Sequence, residues 1–563
     1  MKLQKAGTAG LECGAAAVIG VLGAGTMGSG IAQLAARSGA RTLLCDPVPQ
    51  ALERGLERAR DGLAKEASRG RLSEEDAQAA CERLQAVAEL SELAPSELVI
   101  EAAPERPELK RELYERLSEI VSAQCVLATN TSSLLVTAIA TAAGNPERVV
   151  GMHFFNPAPL MRLLEVVAGE RSSDAALALA SATGEAMGKT VIRAKDGPGF
   201  IVNRCNRPFG LEALRLLQER IADVETIDRI CRMEGGFRMG PFELMDLVGV
   251  DTGFEISQSF YAQSFGEPRW RPSMIAARYV AAGLHGRKTG RGYYDYSEEG
   301  SGHRPEDPPL PEAIVPGHGE GVVVIAGSGV LADELRTAAA QAGYEVRSPH
   351  APTGGVLPAL IVDCEAAPAE REAGTAAGGQ PDRRAAPSQP QGGARLVLCA
   401  RGSLAELDPA GSSVGFHVLS PLSQAGLVEL TRSEGSSPVA AARAERFFRA
   451  LGKHVAWVGD APGLVLGRIV CQVINESAFA LGEGVGDAHD IDTGMVLGLS
   501  HPRGPFAWAD AIGLDHVLTV LTALCEEYRE ERYRPAPALR HLVAAGRLGR
   551  AAGAGFLTYD DER

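Results

Sequence analysis

A histidine and a glutamate separated by twelve positions carry the first chemical signal in this sequence. His153 ends an apolar run, Val149–His153, and Glu165 lies within a second apolar run, LLEVV. Oxidation of an alcohol needs a base for the hydroxyl proton, and a neutral imidazole suits that step near pH 7. A carboxylate on the other ring nitrogen would fix the tautomer and stabilise the imidazolium. The pair could therefore serve as an alcohol-oxidising base.

Two further polar residues accompany this pair. Ser132 lies in NTSSL directly after the apolar run Val126–Thr129, and Asn203 lies in GFIVNR. Both side chains could hold substrate oxygens by hydrogen bonds. A histidine after a strand is also compatible with a purely structural role, and the sequence alone does not establish that His153 and Glu165 touch.

A glycine motif precedes these residues. Gly23, Gly25 and Gly28 form G-x-G-x-x-G, with Thr26 and Met27 between them, after an apolar strand and before a helical pattern. Such a turn places a dinucleotide pyrophosphate at the helix N-terminus. Asp46, at the end of the next strand, would bond an adenosine ribose hydroxyl and repel a 2′-phosphate, which favours NAD over NADP. The alternatives are an ordinary glycine turn, and for Asp46 a helix N-cap before Pro47.

The runs NTSSL, GMHFFNPAPLMRLLEVV and DGPGFIVNR together resemble the 3-hydroxyacyl-CoA dehydrogenase family. The resemblance covers nearly all of Ala17–Tyr296 and implies a Rossmann domain followed by a helical domain, with the substrate between them. It implies that His153 is the general base and Glu165 its partner, and that Ser132 and Asn203 position the substrate.

The same resemblance implies further ligand contacts. Positions that help to bind NAD in the family correspond to Glu105, Lys110, Asn156 and Lys288, although the three charged ones could also be solvated surface residues. Lys65 and Arg69 lie in the helical region where the family grips the phosphates of coenzyme A, and simple solvation is again the alternative. The serine that the family has in this helix corresponds to Gly62, which puts that contact in doubt.

Short apolar runs alternate with amphipathic stretches from Ala17 onward. Strands are predicted at Val18–Leu22, Thr42–Cys45, Leu98–Glu101, Val126–Thr129 and Val149–His153. The longer stretches, such as Gln50–Ser68 and Glu108–Val121, read as helices, and after Asp196 the pattern becomes helical. This alternation predicts an α/β domain with a parallel sheet covered by helices on both faces, followed by an all-α domain.

The second half of the chain repeats the first. GPFELMDLVGVD from Gly240 matches GPFAWADAIGLD from Gly504, the segment from Arg269 matches that from Arg532, and DGPG matches DAPG. VVVIAGSG echoes VIGVLGAG, so a second sheet domain and a second helical domain are predicted. The predicted domains are a flexible tail at 1–16, a NAD-binding Rossmann domain at 17–195, a helical domain at 196–300, a degenerate Rossmann-like domain at 318–459 with a disordered insertion at 365–393, and a second helical domain at 460–563.

The second copy departs from the first at its cofactor motif. Gly28 becomes Ala332, no acid takes the place of Asp46, and Asn203 becomes Gly467, although His417 and Glu429 keep the spacing of the first pair. Without a bound cofactor there is no hydride acceptor, so this half is predicted to be structural. In shorter family members the helical domains of two subunits pair, and here an intramolecular pseudo-dimer is expected, with a homo-oligomer left open.

Composition narrows the remaining possibilities. The net charge of -15 argues against a nucleic-acid binder. Ten cysteines without a C-x-x-C pair predict neither a metal site nor a disulfide framework, and they favour the cytoplasm. No apolar stretch is long enough to span a membrane. We expect NAD-dependent oxidation of an (S)-3-hydroxyacyl-CoA in fatty-acid β-oxidation. The alternatives are a dehydrogenase of a free hydroxy acid and a non-catalytic binding subunit of a β-oxidation complex.

Overall fold

The computed structural model describes residues 14–297, 303–309, 317–351, 356–368 and 393–559. Most of the expected tail at 1–16 and most of the expected insertion at 365–393 lie outside the described residues. The chain forms two compact units. The first contains the described residues up to Arg204 together with Glu483–Leu499, and the second contains Cys205–Gly482 and the described residues from Ser500.

The described residues contain two β-sheets. Their strands are β1 (Val18–Leu22), β2 (Arg41–Cys45), β3 (Leu84–Val87), β4 (Leu98–Glu101), β5 (Val126–Thr129), β6 (Val149–Phe154), β7 (Leu163–Ala168), β8 (Thr190–Lys195), β9 (Val322–Ala326), β10 (Glu345–Arg347), β11 (Leu360–Asp363), β12 (Arg395–Leu398), β13 (Val414–His417), β14 (Leu427–Arg432) and β15 (His454–Trp457).

The α-helices surround these sheets and build the helical segments. They are α1 (Thr26–Arg37), α2 (Pro49–Ser68), α3 (Glu74–Arg83), α4 (Pro107–Ile120), α5 (Val136–Ala140), α6 (Asp174–Ala186), α7 (Val202–Cys205), α8 (Arg207–Gln218), α9 (Val224–Met233), α10 (Pro241–Val248), α11 (Val250–Gln263), α12 (Met274–Ala281), α13 (Val330–Ala342), α14 (Leu404–Leu407), α15 (Pro438–Ala450), α16 (Leu466–Gly482), α17 (Ala488–Leu499), α18 (Pro505–Ile512), α19 (Leu514–Tyr528) and α20 (Pro537–Ala544).

The first unit has the predicted α/β fold. Its eight strands run in the order β3-β2-β1-β4-β5-β6-β7-β8. The central strands are buried along their length, because helices cover both faces of the sheet. The five strands predicted from the sequence agree with β1, β2, β4, β5 and β6 within one residue at each end.

The sheet is mixed, whereas the sequence predicted a parallel one. Strand β7 pairs with β6 in antiparallel orientation, and β8 then runs parallel to β7. Parallel pairing needs a crossover of about a dozen residues or more, and the chain between β6 and β7 is shorter than that. The resulting hairpin places His153 directly opposite Glu165.

The second sheet repeats the order of the first, from β10 through β9 to β15. It also contains an antiparallel hairpin, β13–β14, which places His417 opposite Glu429. The connection from β10 to β11 is confined to residues 348–359, whereas residues 46–97 between β2 and β4 contain α2, α3 and β3. The second sheet therefore has no room for counterparts of these two helices.

Each helical segment packs one helix, which we call its exchanged helix, on the sheet formed by the other half of the sequence. Helix α17, from the second helical segment, packs on β7 and β8 of the first sheet, where Arg193 N donates to Asp490 Oδ2 at 2.9 Å. Helix α9, from the first helical segment, packs on β14 of the second sheet, where Gly426 N donates to Met233 O at 2.8 Å. The compact units are therefore not the same as the domains read from the sequence.

A buried ionic cluster joins the two helical segments within the second unit, where α8 packs along α16. The guanidinium of Arg468 is fully buried and donates to Glu212 at 2.9 Å and to Glu219 at 2.6 Å. Arg269 and Arg532 form ion pairs with Glu476 and Glu212, which are corresponding positions in the two segments. Such reciprocal contacts characterise a surface that pairs with its own copy.

The Arg468 cluster yields a stability prediction. Replacing Arg468 by methionine removes the cation of Glu219 and the nearer of the two cations of Glu212, and breaking a buried pair in this way costs about 3–5 kcal/mol. We expect a clear fall in the denaturant midpoint. The matched control is Arg116→Met, since the Arg116–Glu112 pair is exposed at 4.0 Å and should change stability by less than about 0.5 kcal/mol. Equal midpoints for the two variants would contradict this assignment.

Candidate active site

The predicted histidine and glutamate are in contact. His153 Nδ1 lies 2.7 Å from Glu165 Oε2, and both side chains are buried. The other carboxylate oxygen, Oε1, accepts hydrogen bonds from the backbone amides of Ile201 and Val202 at 3.1 Å each. With Nδ1 donating to the carboxylate, Nε2 of His153 is the ring nitrogen left to accept a proton.

Three segments of the first unit create this geometry. The antiparallel register of β6 and β7 sets the two side chains opposite one another, and the start of α7 supplies the two amides. The rings of Phe155 and Phe200 lie 4.6 and 5.7 Å from the imidazole, between ring centroids. These rings give the histidine apolar surroundings, which strengthen its charge-assisted bond to Glu165.

Ser132 lies in a loop that Glu105 organises. Glu105 Oε1 accepts from Thr131 Oγ1, from the backbone amide of Ser132 at 3.1 Å, and from the amide and hydroxyl of Ser133. Burial raises the pKa of Glu105, but Lys110 and the hydroxyl donors outweigh that effect and hold it below its usual value. Glu105 is therefore ionised while it orders the loop that carries Ser132.

The two predicted asparagines belong to the same unit. Asn203 lies in α7, directly after Val202, whose amide bonds Glu165. Asn156 is exposed just beyond the end of β6. The nearby Asn130 was given no role from the sequence, and its Oδ1 accepts from the backbone amide of Phe154 at 2.9 Å, which ties the loop after β5 to the end of β6.

The glycine motif forms the turn between β1 and α1. A Cβ on Gly28 would lie 1.7 Å from the carbonyl oxygen of Gly23, so only glycine permits this approach of helix to strand. Asp46 Oδ2 accepts from the amide of Ala24 at 2.8 Å, which ties the acid to the turn. Asp46 is not an N-cap, because Val48 caps α2. These residues fit a bound dinucleotide, since the turn is free of side chains and an acid lies at the second strand.

The remaining predicted NAD contacts have different surroundings. Lys110 is almost fully buried and pairs with Glu101 at 2.8 Å and with Glu105 at 3.2 Å. It anchors Glu105 and thereby the Ser132 loop. Lys288 belongs to the second unit, where its ammonium lies 2.6 Å from the carboxylate of Asp251.

Lys65 and Arg69 line a cavity of about 350 Å³ beside α1 and α2. Two further cations, Arg58 and Arg71, line it as well. Sequence reasoning missed these two, although the spacing of Arg58, Lys65 and Arg69 along one helical face was a usable signal. A Cβ on Gly62 would lie 2.1 Å from Gln33 Oε1, so the Gln33 side chain occupies the space of a side chain at Gly62.

The second hairpin keeps the residues of the pair but not their bond. Glu429 accepts from the amides of Val465 and Leu466 at 2.7 and 2.8 Å, one on each oxygen, and burial raises its pKa to about 8. Among the described residues, Nδ1 of the buried His417 has no hydrogen-bond partner. The His417 ring instead fills the space beside Gly467, where a Cβ would lie 2.2 Å from its Cε1.

The second glycine turn is also altered. Arg336 donates from its guanidinium to the carbonyl oxygen of Gly327, the counterpart of Gly23. The strand pairing of β9 and β10 puts His350 at the position of Asp46. Two cavities border this turn, one of about 80 Å³ that reaches His516 and one of about 770 Å³ that runs along α13.

Among the described residues, no group of three or more His, Cys, Asp or Glu side chains could hold a metal ion. No single described helix is long and apolar enough to cross a membrane. Helices α18 and α19 reach the required length and apolar composition only together, and they are bent by 97° at the break between them.

Two family models match the chain. The model described as 3-hydroxyacyl-CoA dehydrogenase, NAD binding domain, matches residues 18–197. The model described as 3-hydroxyacyl-CoA dehydrogenase, C-terminal domain, matches twice, at residues 199–296 and 463–559.

Curated proteins and solved structures agree with these models. The chain is 34% identical over 523 residues to 3-hydroxyadipyl-CoA dehydrogenase of Escherichia coli K12, covering 93% of this chain and 96% of that protein. A probable 3-hydroxybutyryl-CoA dehydrogenase of Deinococcus radiodurans is 39% identical over 277 residues, which are 49% of this chain and 99% of that protein. The crystal structure of 3-hydroxybutyryl-CoA dehydrogenase from Escherichia coli K12 superposes with a TM-score of 0.76 at 32% identity, covering 94% of this chain and 99% of that one.

Asp46 generates a prediction on cofactor choice. Replacing Asp46 by alanine removes the acid that would repel a 2′-phosphate, so the preference for NADH over NADPH in kcat/KM should relax. The variant should also bind NADH more weakly, because the turn loses the bond to the amide of Ala24. Steady-state kinetics with both cofactors measure this, and Glu53→Ala, an exposed acid on α2, serves as the control. An unchanged preference in Asp46→Ala would show that another residue selects the cofactor.

Proposed function

The chain belongs to the 3-hydroxyacyl-CoA dehydrogenase family, and on that premise we propose that it oxidises an (S)-3-hydroxyacyl-CoA to the 3-oxoacyl-CoA at the His153–Glu165 pair. The observation that carries this proposal is the 2.7 Å bond between the imidazole and the buried carboxylate. It lies in the same compact unit as a glycine turn that fits NAD.

His153 takes the proton from the substrate hydroxyl at Nε2 while the C3 hydrogen leaves as hydride. NAD, when bound, supplies the acceptor for that hydride. Glu165 stabilises the imidazolium that forms and holds the ring in the tautomer with Nε2 unprotonated. Ser132 and Asn203 hold the substrate oxygens, and the Glu101–Lys110–Glu105 chain of ion pairs fixes the loop that presents Ser132.

The substrate is proposed to be a coenzyme A thioester. Four cations line the cavity beside α2, and a phosphate-bearing ligand needs such a cluster. The relatives carry the names of 3-hydroxyadipyl-CoA and 3-hydroxybutyryl-CoA dehydrogenases, both thioester enzymes. A free hydroxy acid would make no use of the cluster, and a purely binding subunit would not need the ordered His153–Glu165 pair. This substrate class fits a step of fatty-acid β-oxidation.

The second half is proposed to act as a built-in pairing partner without a cofactor of its own. The packing of α8 on α16 and the reciprocal ion pairs support an intramolecular pseudo-dimer. The Deinococcus radiodurans relative matches 49% of this chain over 99% of its own length, so it lacks a second copy of these domains. Here both copies lie in one chain, which makes their pairing independent of protein concentration. Nine described cysteines are free thiols, which supports a cytoplasmic location for the protein.

Removing the imidazole tests the assigned base. His153→Ala should lower kcat by at least about a hundredfold, since general bases contribute on that scale. Glu165→Gln should also lower kcat, because it loses the charge that stabilises the imidazolium, while NADH binding measured by fluorescence stays nearly intact. The assay follows NADH oxidation with acetoacetyl-CoA. Near-full activity of His153→Ala would rule this residue out as the base.

Cofactor stoichiometry tests the role of the second half. Calorimetric titration with NADH should find one site per chain, because the turn at Gly327 is occupied by Arg336. His417→Ala should leave kcat almost unchanged, since its Nδ1 has lost the carboxylate. Two sites per chain, or a large loss of kcat in His417→Ala, would show that the second half holds an active site of its own.

A further inference from the structure

The two hairpins of this chain have the same register but differ in the state of their histidine–glutamate pair. His153 faces Glu165 and bonds it, whereas His417 faces Glu429 and does not. Strand pairing is therefore not sufficient to make the bond. A neighbouring group must decide whether the glutamate turns an oxygen toward its histidine.

The exchanged helices supply that group. Glu234 directly follows α9, which packs on the hairpin strand β14 of the second sheet. Gly498 lies near the end of α17, which packs on β7 of the first sheet. These are the same position in the two helical segments, since Asp223 and Asp487 cap the two helix starts and both helices lead into a Gly-Pro-Phe turn.

Glu234 and Glu429 are buried acids of the second site. Glu234 Oε1 accepts from the amide of Leu419 at 3.3 Å. Burial and the nearby charge of Glu429 raise the pKa of Glu234 well above its usual value, which favours the protonated acid. Burial raises the pKa of Glu429 to about 8. A protonated carboxyl is a poor partner for an imidazole, and both oxygens of Glu429 are already engaged by backbone amides.

Gly498 leaves the corresponding space to the phenylalanine beside the active histidine. A Cβ on Gly498 would lie 2.9 Å from Leu163 Cδ2, 3.2 Å from Val202 Cγ1 and 3.4 Å from Phe155 Cε1. Phe155 corresponds to Leu419 and packs its ring on His153. In the described part of the chain no hydrogen bond joins another carboxyl to Glu165, and one of its oxygens bonds the histidine.

We propose that the residue at this position of the exchanged helix decides whether the opposite histidine–glutamate pair forms, so that Gly498 is a positioning residue for His153. The second half thus contributes to catalysis through α17, even though it carries no reacting group of its own. The inference rests on His153 being the base. Beyond that assignment, Gly498 becomes a determinant of activity that lies more than 300 positions from His153 in the sequence.

The direct test introduces the acid of the second site into the first. Gly498→Glu should lower kcat by at least about a hundredfold, the scale seen when an orienting carboxylate loses its histidine. The acid limb of the kcat–pH profile should move to lower pH, because an imidazolium without its carboxylate gives up its proton more easily. NADH affinity, measured by fluorescence, should change by less than about threefold.

The matched control is Gly498→Met, which adds similar bulk without a hydrogen-bonding carboxyl. It should retain kcat within about tenfold and keep the wild-type pH profile. Equal losses in the two variants, with the profile unmoved in both, would reduce the effect to crowding and overturn the proposal. His153→Ala separates this outcome from a failure of the proposed function. Near-full activity of His153→Ala would refute the assignment of His153 as the base, whatever Gly498→Glu shows.

The mirror variant keeps the proposal testable if Gly498→Glu does not fold. A crystal structure of Glu234→Gly should show His417 Nδ1 within hydrogen-bonding distance of Glu429, while kcat remains that of the wild type. A Glu429 that stays apart from His417 without Glu234 beside it would overturn the proposal.

Discussion

The antiparallel pairing of β6 with β7 is the constraint on which the active site depends. This register brings His153 and Glu165 from two separate apolar runs into contact inside the sheet. The buried carboxylate is tolerable only because two amides at the start of α7 and the imidazole satisfy it. The segment that completes the pair also carries Asn203, so the proposed substrate-positioning residue and the proposed base are fixed by one local arrangement.

The second hairpin shows that strand register and residue types alone do not form the histidine–glutamate bond. It has the same register and the same two residue types, yet its histidine Nδ1 does not bond the glutamate, and the histidine ring fills the space beside Gly467. Buried titratable groups are costly unless they are paired, and a sheet that has lost its cofactor turn is free to pair them differently. What the second half keeps is packing, in the α8–α16 contact and in the helix that each segment lends to the opposite sheet.

Much of this could be predicted from the sequence because its signals are local. Strands β1, β4 and β5 are buried apolar runs whose bounds follow from their hydrophobicity, and the glycine turn is recognisable from spacing. Strands β7 and β8 were not predicted, because the short connection after β6 requires an antiparallel return only once the apolar run around Glu165 is recognised as a strand. The stretch after Asp196, read as helical, is interrupted at Asn206 between α7 and α8.

The residues that sequence reasoning missed act over long separations in the chain. Gly498 and Glu234 carry no motif, and their effect arises only where α17 and α9 meet sheets from the other half of the sequence. Glu105 was expected as a cofactor contact, and only the structure shows its carboxylate gathering the amides of the Ser132 loop. Local pattern thus predicted the residues of the site, and tertiary contacts distinguish its two copies.

The central claim is that one half of the chain holds a complete dehydrogenase site and the other half does not. A crystal structure of the full chain with NAD and acetoacetyl-CoA tests it most directly. The account predicts one dinucleotide, over Gly23–Gly28, and His153 Nε2 within hydrogen-bonding distance of the C3 oxygen. A dinucleotide over Gly327, or a different side chain at that oxygen, would contradict it.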